Sequence, residues 1–341
     1  IKGGAATRHL LGDTPVVIDD ESPVVVNAGG SGVFRSRYGK DELAALAPHI
    51  GELEELERGT LVADSWAALF AGQITWTDFL LVARSLGNHD EPTAWGFVAS
   101  ALDMVQRCAR DDQRSALGAQ ARELMAPQFE RLGWNRRETD GELTHQMRAV
   151  LIATLGTIGE DRAIQAEAVR RFETQDMDGD LANAILRVVA EQNRPGDYDE
   201  FLDRYRNAAT PQDEMRYLVA LGGFGDEKTA LDAAEMCFGE LRTQNGPIVL
   251  GALTRNQHTG PAVWRYLVSR WDEATERFSS SHHSRMVGGL STFVQDPAFA
   301  EEVIAFHEAH PVSGGYPASL PQQIERLRIG LAFATTIRPQ I

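Results

Sequence analysis

The stretch TWTDFLLVARSL, residues 75–86, shows the structural period that dominates this sequence. Thr75 followed three residues later by Asp78 forms a capping box, the arrangement that begins a helix. Apolar residues then recur at positions i, i+3, i+4 and i+7 of one helix face: Phe79, Val82, Ala83 and Leu86. The stretch therefore predicts an amphipathic α-helix that buries one face.

The same period continues from residue 39 to the end of the chain. Thr210 and Asp296 each precede a proline, which is the order of an N-cap followed by the first helical position. We count about fifteen helices with short connections, as expected of a HEAT-like α-α superhelix of stacked helix pairs. Joints between the pairs are expected at three glycine-, proline- or aspartate-rich places: 140–160, 192–198 and 222–226.

The first 38 residues have a different pattern. Short β-branched runs at 16–18 and 24–26, and an extended run at 33–38, predict three strands separated by turn residues. Three strands bury no sheet face by themselves, so we expect them to be the last strands of a β-sandwich. The fold class is therefore mostly α, with a strand remnant in domain 1–38 and a helical superhelix in domain 39–341.

The composition restricts the partners. With 49 acidic against 33 basic residues the formal charge is -16, which disfavours nucleic acid and anionic membrane surfaces. No run approaches the roughly 20 apolar residues of a membrane span, and no secretory signal begins the chain, so we expect a cytoplasmic location. The chain begins at Ile1 in place of Met, inside a strand-rich region, which indicates a piece of a longer protein.

The sequence carries no recognisable catalytic or metal-binding motif. A zinc peptidase of the gluzincin type needs H-E-x-x-H, so that two histidines one helical turn apart meet one zinc. The nearest string, His307-Glu308-Ala309-His310, has the wrong spacing and runs into Pro311, so we interpret it as a helix C-terminus. We expect no catalytic residue, no metal ligand and no peptidase activity in this chain.

Several short motifs occur in the order found in M1 zinc aminopeptidases. These are V-V-N at 25–27 with F-R-x-x-Y at 34–38, E-R-x-x-L at 57–61 with Asp64 and Ala71-Gly72, R-Y-L-V-A-L at 216–221, and Arg255-Asn256 followed by Trp264 and Trp271. Each motif alone is common in helical cores, but their joint order resembles the C-terminal region of this family, most of all bacterial, actinobacterial aminopeptidase N-like members. The resemblance covers essentially the whole chain.

The resemblance implies a role by position. In the family, an upstream zinc domain removes the first residue of a peptide, and the C-terminal helical domain packs over it to enclose the substrate chamber. The implied partners are therefore the upstream catalytic domain of the same polypeptide and a peptide substrate. The implied zinc belongs to that catalytic domain, and no cofactor is expected in this chain.

Arg255 is the single candidate substrate contact. It resembles by position an arginine that faces the chamber in some family members, where a guanidinium could hold a peptide's C-terminal carboxylate. The alternative is structural, because Arg255 follows the predicted helix 247–254 and its side chain could cap the last carbonyls of that helix.

A second function class stays open. A free-standing α-solenoid would bind a protein partner along its concave face and would need no zinc domain. The predicted strands of residues 1–38 favour the aminopeptidase interpretation, since an adaptor has no reason to begin inside a β-sandwich.

Overall fold

A computed structural model describes residues 7–9, 12–17, 23–141, 143–177, 179–311 and 319–341. Within these ranges the chain forms seventeen α-helices joined by short connections. Their bounds are Lys40–Leu46 (α1), Glu55–Phe70 (α2), Trp76–Ser85 (α3), Pro92–Cys108 (α4), Asp111–Leu132 (α5), Thr144–Gly156 (α6), Arg162–Glu173 (α7), Gly179–Glu191 (α8), Asp197–Arg206 (α9), Pro211–Ala220 (α10), Glu227–Phe238 (α11), Gly246–Thr254 (α12), Gly260–Ser269 (α13), Trp271–Arg277 (α14), His283–Met286 (α15), Pro297–Ala309 (α16) and Ser319–Ile337 (α17).

Capping residues begin the helices where the sequence predicts. The Thr75 hydroxyl accepts a hydrogen bond of 3.2 Å from the Asp78 N–H, and the Asp78 carboxylate accepts one of 2.9 Å from the Thr75 N–H. Thr210 caps α10 and Asp296 caps α16 by the same side-chain-to-backbone bonding. These bonds satisfy N–H groups that the first helical turn leaves unpaired, so each one fixes where its helix begins.

The helices stack in two rows. The even-numbered helices α2, α4, α6, α8, α10 and α12 each pack against the next, and we call them the even row. The odd-numbered helices α3, α5, α7, α9 and α11 lie against their even-numbered neighbours, and one continuous apolar core runs between the rows. This is the packing of an α-solenoid, so the predicted mostly-α superhelix is confirmed.

The last long helix returns to the first part of the array. α17 packs against α16 and against α4, near the start of the even row. The Phe333 ring lies 4.8 Å from the Phe70 ring and 5.8 Å from the Trp66 ring, both on α2, measured between centroids. The last long helix of the superhelix therefore contacts the first part of the array, and the curved array has an interior side.

The N-terminal strands are not seen. No strand forms within the described residues, and 23–27 and 31–39 run as irregular segments; residue 18 of the expected 16–18 strand lies outside the described residues. The segment instead uses α2: Arg35 pairs with Asp64 at 2.9 Å, and the Ser36 N–H donates to the same carboxylate at 2.9 Å. A strand needs a neighbouring strand for its N–H and C=O groups, and the described residues supply none. The domain boundary at residue 38 stays a prediction.

One predicted joint is a helix. Residues 144–156, inside the expected joint 140–160, form α6 of the even row. The Arg148 side chain of α6 is fully buried and bonds to Asp140 at 2.7 Å and to the Leu132 carbonyl at 3.1 Å. α6 packs against α4, α5, α7 and α8 and is therefore buried on several faces, so its sequence lacks a clear amphipathic period; the ion pair replaces water around the buried charge of Arg148. The joint at 222–226 lies between α10 and α11, as predicted, and residues 192–196 lie between α8 and α9, whereas residues 197–198 already belong to α9.

Candidate functional site

Charged side chains from three members of the even row meet on the interior side of the superhelix. The Asp103 carboxylate of α4 accepts a hydrogen bond of 3.2 Å from Arg187 of α8, and Arg107 of α4 donates one of 2.8 Å to the Arg255 carbonyl at the end of α12. α6 separates α4 from α8 in the row, and α6, α8 and α10 separate α4 from α12. Contacts between helices that are not adjacent in the row cross the inside of the superhelical curve. We therefore use the name inner charged cluster for six residues: Asp103, Arg107, Arg187, Arg255, Glu191 and Arg114.

Asp103 is the centre of this cluster. Its Oδ2 accepts from Arg107 Nε at 2.8 Å and its Oδ1 from Arg187 Nη2 at 3.2 Å, so each oxygen takes one guanidinium. Burial raises the pKa of Asp103. The charges and hydrogen bonds of Arg107 and Arg187 together lower it by more than burial raises it, so the pKa of Asp103 lies below its usual range. Asp103 is therefore a carboxylate at neutral pH and joins α4 to α8.

Glu191 lies one helical turn after Arg187 on α8. Burial raises the pKa of Glu191, while Arg187, Arg107 and Arg114 lower it by less. Among the described residues it makes no ion pair within 4.0 Å. Its side chain is accessible to solvent and yet surrounded by protein, as expected of a group on a concave surface.

The guanidinium of Arg255 has no partner among the residues that the structure describes. Arg255 is the C-cap of α12, where its backbone N–H donates to the Ala252 and Leu253 carbonyls, and its own carbonyl accepts from Arg107. Its side chain is exposed and makes no hydrogen bond to the α12 carbonyls, unlike a capping arginine. Although solvent reaches this side chain, the protein around it displaces part of its water, and this burial, followed by the neighbouring charge of Arg107, lowers the pKa of Arg255. Arg255 is thus a cation without a carboxylate partner beside a second cation.

The rim of the cluster is formed by the start of α5 and the loop after α12. Arg114 pairs with Asp111 at 3.2 Å, and this carboxylate is almost fully exposed. His258 lies near Arg114, and burial followed by that charge lowers the pKa of His258. Carboxylates therefore face Arg107, Arg187 and Arg114, which leaves Arg255 as the group in the cluster best able to take a further anion.

The described part of the chain offers no metal centre. No group of three or more histidine, cysteine, aspartate or glutamate side chains lies close enough there to hold an ion, so these residues do not fit a zinc site. The 307–310 string ends α16, as predicted: His307 is buried and accepts a hydrogen bond of 3.1 Å from the Trp264 indole. Its ring also lies 5.2 Å from the Trp271 ring. His307 is a core residue.

A separate pocket lies far from the cluster along the chain. It has a volume of about 300 Å³ and is lined by the α2–α3 turn and by α17, with Thr75, Phe333 and Lys40 on its walls. It contains none of the cluster residues, and its ionisable lining residues are Lys40 and Asp78, whose carboxylate already bonds to the Thr75 N–H and hydroxyl. None of the described helices combines the length and the apolar character that crossing a membrane requires.

Comparison with known proteins identifies the fold as a domain that recurs in peptidases. The family model described as "ERAP1-like C-terminal domain" matches residues 23–329. The chain belongs to this family. The match includes the irregular N-terminal segment, every helix from α1 to α16 and most of α17.

Curated relatives of this family member are aminopeptidases. Aminopeptidase M1-B of Oryza sativa subsp. japonica is 27% identical over 93% of this chain and 38% of the rice protein. The alanine/arginine aminopeptidase of Saccharomyces cerevisiae is 24% identical over 89% of the chain and 37% of the yeast protein. The leucyl aminopeptidase of Saccharolobus solfataricus is 22% identical over 77% of the chain and 33% of that protein. The chain thus spans less than two-fifths of the length of these M1 relatives.

The sequence predicts Arg255 as a substrate contact, which stays a prediction, and it does not predict the charged residues around it. Asp103 and Arg107, and likewise Arg187 and Glu191, are opposite charges four residues apart on one helix, which is the usual pattern of a solvated helix face. Nothing in that spacing distinguishes the inside of a superhelix from its outside. Only the stacking order of α4, α8 and α12 brings the four residues to Arg255.

Proposed function

We propose that this chain is the non-catalytic C-terminal domain of a zinc-dependent M1 aminopeptidase and closes the substrate chamber over the catalytic domain. The observation that carries the proposal is the family match over residues 23–329, in relatives that are aminopeptidases and more than twice as long. A lid of this kind excludes water and restricts which peptides reach the reacting groups, although it supplies no catalytic group itself. The zinc would be held by the catalytic domain, and no residue of this chain is assigned to it.

Exposed apolar side chains of the N-terminal segment and of the start of α2 support the proposal of a docking surface for the catalytic domain. Val33 is fully exposed, and Phe34 and Leu56 are 44% and 59% exposed. Burying such side chains against a partner stabilises a complex by about 25 cal/mol for each Å² of apolar surface removed from water. We propose that the preceding part of the same polypeptide covers them. The cytoplasmic location expected from the sequence stays a prediction.

Arg255 would bind the far end of the peptide. A guanidinium presents parallel N–H donors that match the two oxygens of a carboxylate, and within the described ranges Arg255 has no side-chain partner that a substrate would have to displace. The interior position of the cluster supports this proposal, because a peptide inside a closed chamber would have to pass this side of the superhelix. The substrate group is thus the free C-terminal carboxylate.

The test compares one peptide as its free acid and as its C-terminal amide, with the complete enzyme that contains this chain. We expect Arg255→Ala to raise KM for the acid by about tenfold, the value of one charge-assisted hydrogen-bonded pair, and to leave KM for the amide nearly unchanged. Arg84→Ala is the control, because Arg84 is a surface residue of α3 paired with Glu123. Equal losses on acid and amide would remove Arg255 from the site.

The alternative of a free-standing solenoid rests on the same inner charged cluster, which would bind an acidic segment of a protein partner. The two functions predict different coding sequences upstream of this chain. An upstream H-E-x-x-H followed by a further glutamate in the same reading frame supports the aminopeptidase, whereas a start codon directly before Ile1 supports the scaffold.

A further inference from the structure

We infer that Arg107 is the positioning residue for Arg255, and that Asp103 sets the orientation of Arg107. This inference rests on the proposed role of Arg255 in binding a peptide carboxylate. It concerns two residues that need not touch the substrate. They would decide whether Arg255 stands at the place where a carboxylate can reach it.

Arg107 uses two edges of its guanidinium at once. Its Nε donates to Asp103 at 2.8 Å, and its Nη1 donates to the Arg255 carbonyl at 2.8 Å. The guanidinium is planar, so fixing one edge on a carboxylate fixes the direction in which the other donors point. With a side chain only 17% exposed, Arg107 has little freedom to rotate away. The Asp103 bond therefore aims the donor that holds the Arg255 backbone.

Asp103 is itself held from a third helix. Arg187 of α8 donates to its second oxygen at 3.2 Å, so the carboxylate cannot turn without losing one of two ion pairs. The resulting chain of bonds runs from α8 to α4 and on to the end of α12. The bonded residues Asp103 and Arg187 are 84 positions apart in the sequence, and Arg107 and Arg255 are 148 positions apart. The place of Arg255 thus depends on helices far from α12 in sequence.

Charge adds to position. Arg107 keeps a second guanidinium next to Arg255, and the repulsion between these two like charges favours a carboxylate that binds to Arg255. Asp103 neutralises Arg107 only in part, because it shares its charge with Arg187. A carboxylate that binds Arg255 would relieve this repulsion. Arg107→Lys keeps the charge and removes the two-edged geometry, so it separates the two contributions.

The chain offers a matched control at Arg204. Its Nε donates to Glu200 one turn earlier at 2.7 Å, and its Nη1 donates to the Phe172 carbonyl of another helix at 2.9 Å. Its side chain is 12% exposed, close to the 17% of Arg107. Arg204 belongs to α9 of the odd-numbered helices and has no link to Arg255. Arg204→Lys therefore makes the same kind of structural change away from the proposed site.

The experiment measures, in the complete enzyme, the ratio of KM for the amide to KM for the free acid of one peptide. For Arg107→Lys and for Asp103→Asn we expect this ratio to fall roughly five- to tenfold, with kcat and KM for the amide nearly unchanged. Arg204→Lys should leave the ratio at its wild-type value even if its melting temperature falls by as much. Melting temperatures of all variants show that each one is folded.

Two results would overturn the inference, and they are distinguishable. If Arg255→Ala abolishes the preference for the acid while Arg107→Lys and Asp103→Asn keep it, Arg255 binds the carboxylate without help from Arg107, and only this inference fails. If the wild-type enzyme shows no preference for the acid, the role of Arg255 fails and the positioning role fails with it. Asp103→Asn keeps the shape of the side chain, so it tests the inference even if Arg107→Lys is unstable.

Discussion

The Arg338 guanidinium donates a hydrogen bond of 2.7 Å to the carbonyl of Cys108, which joins residues 230 positions apart. Cys108 is the last residue of α4, and Arg338 follows α17 directly. The same guanidinium also donates to the carbonyls of Val294 at 3.2 Å and Gln295 at 2.9 Å. One side chain therefore ties the end of the even-row helix α4 to the part of the chain that precedes α16.

Arg338→Ala should lower the free energy of unfolding by about 2–4 kcal/mol, because three carbonyls lose a charged donor at once. Chemical denaturation followed by circular dichroism measures this loss. Lys228→Ala is the control, since Lys228 is 83% exposed and pairs with Asp232 on the same helix; it should leave the free energy of unfolding nearly unchanged. Equal losses in the two variants would show that Arg338 does not close the superhelix.

Two helical glycines should respond in opposite ways to alanine. A Cβ at Gly251 of α12 would overlap the Arg285 carbonyl oxygen of α15, whereas a Cβ at Gly96 of α4 would meet no atom within 4 Å. Gly251→Ala must push α12 and α15 apart and should lower the free energy of unfolding by about 1–3 kcal/mol. Gly96→Ala should raise it by up to about 1 kcal/mol through the helix preference of alanine.

Thermal and denaturant melts of the two variants measure this contrast. A stable Gly251→Ala would mean that α12 and α15 do not pack as closely as described. Because both substitutions add one methyl group within a helix, the difference between them isolates the close packing.

The stability of the domain should fall on mild acidification because of His307. Burial, and to a lesser extent the charge of His310, lowers the pKa of His307 from 6.5 to about 4. A base whose pKa is lowered on folding stabilises the fold fully above its unfolded pKa, and this contribution is lost as pH falls from 6.5 towards 4. The complete loss is on the order of 3 kcal/mol, since each pKa unit corresponds to about 1.4 kcal/mol.

His307→Gln tests this prediction. The amide oxygen can still accept from the Trp264 indole, but glutamine does not titrate. Free energies of unfolding measured between pH 7 and pH 4.5 should fall less steeply for the variant than for the wild type. An identical slope in both proteins would show that another group controls the acid sensitivity.

The sequence predicted those features of the fold that depend on neighbouring residues. The caps at Thr75, Thr210 and Asp296 were predictable because a cap residue bonds to N–H groups two or three positions away. α6 was not, because Arg148 and Asp140 are buried at positions where a charge usually marks the surface. The prediction of strands at residues 24–26 and 33–38 was wrong, because a strand forms only beside a neighbouring strand, which a local sequence pattern does not reveal.

In the candidate site, too, the features that depend on neighbouring residues were predictable and those that depend on distant residues were not. Arg255 was predicted as a substrate contact from its place in a family pattern, and that role stays a prediction; its position at the end of α12 follows from the local helix signal. The roles of Asp103, Arg107 and Arg187 were not predictable, since i, i+4 charge pairs look alike on the inside and on the outside of a superhelix. Residues 84 and 148 positions apart meet only after the whole array has formed.

Whether this chain is a non-catalytic domain of a zinc aminopeptidase is tested by measuring zinc-dependent release of the N-terminal residue from one peptide, by the complete protein and by this chain alone. We expect the complete protein to release that residue, to lose the activity on chelation and to regain it with zinc. This chain should release nothing even with added zinc. Metal-dependent hydrolysis by this chain that survives repurification, or a complete protein without aminopeptidase activity, would contradict the account.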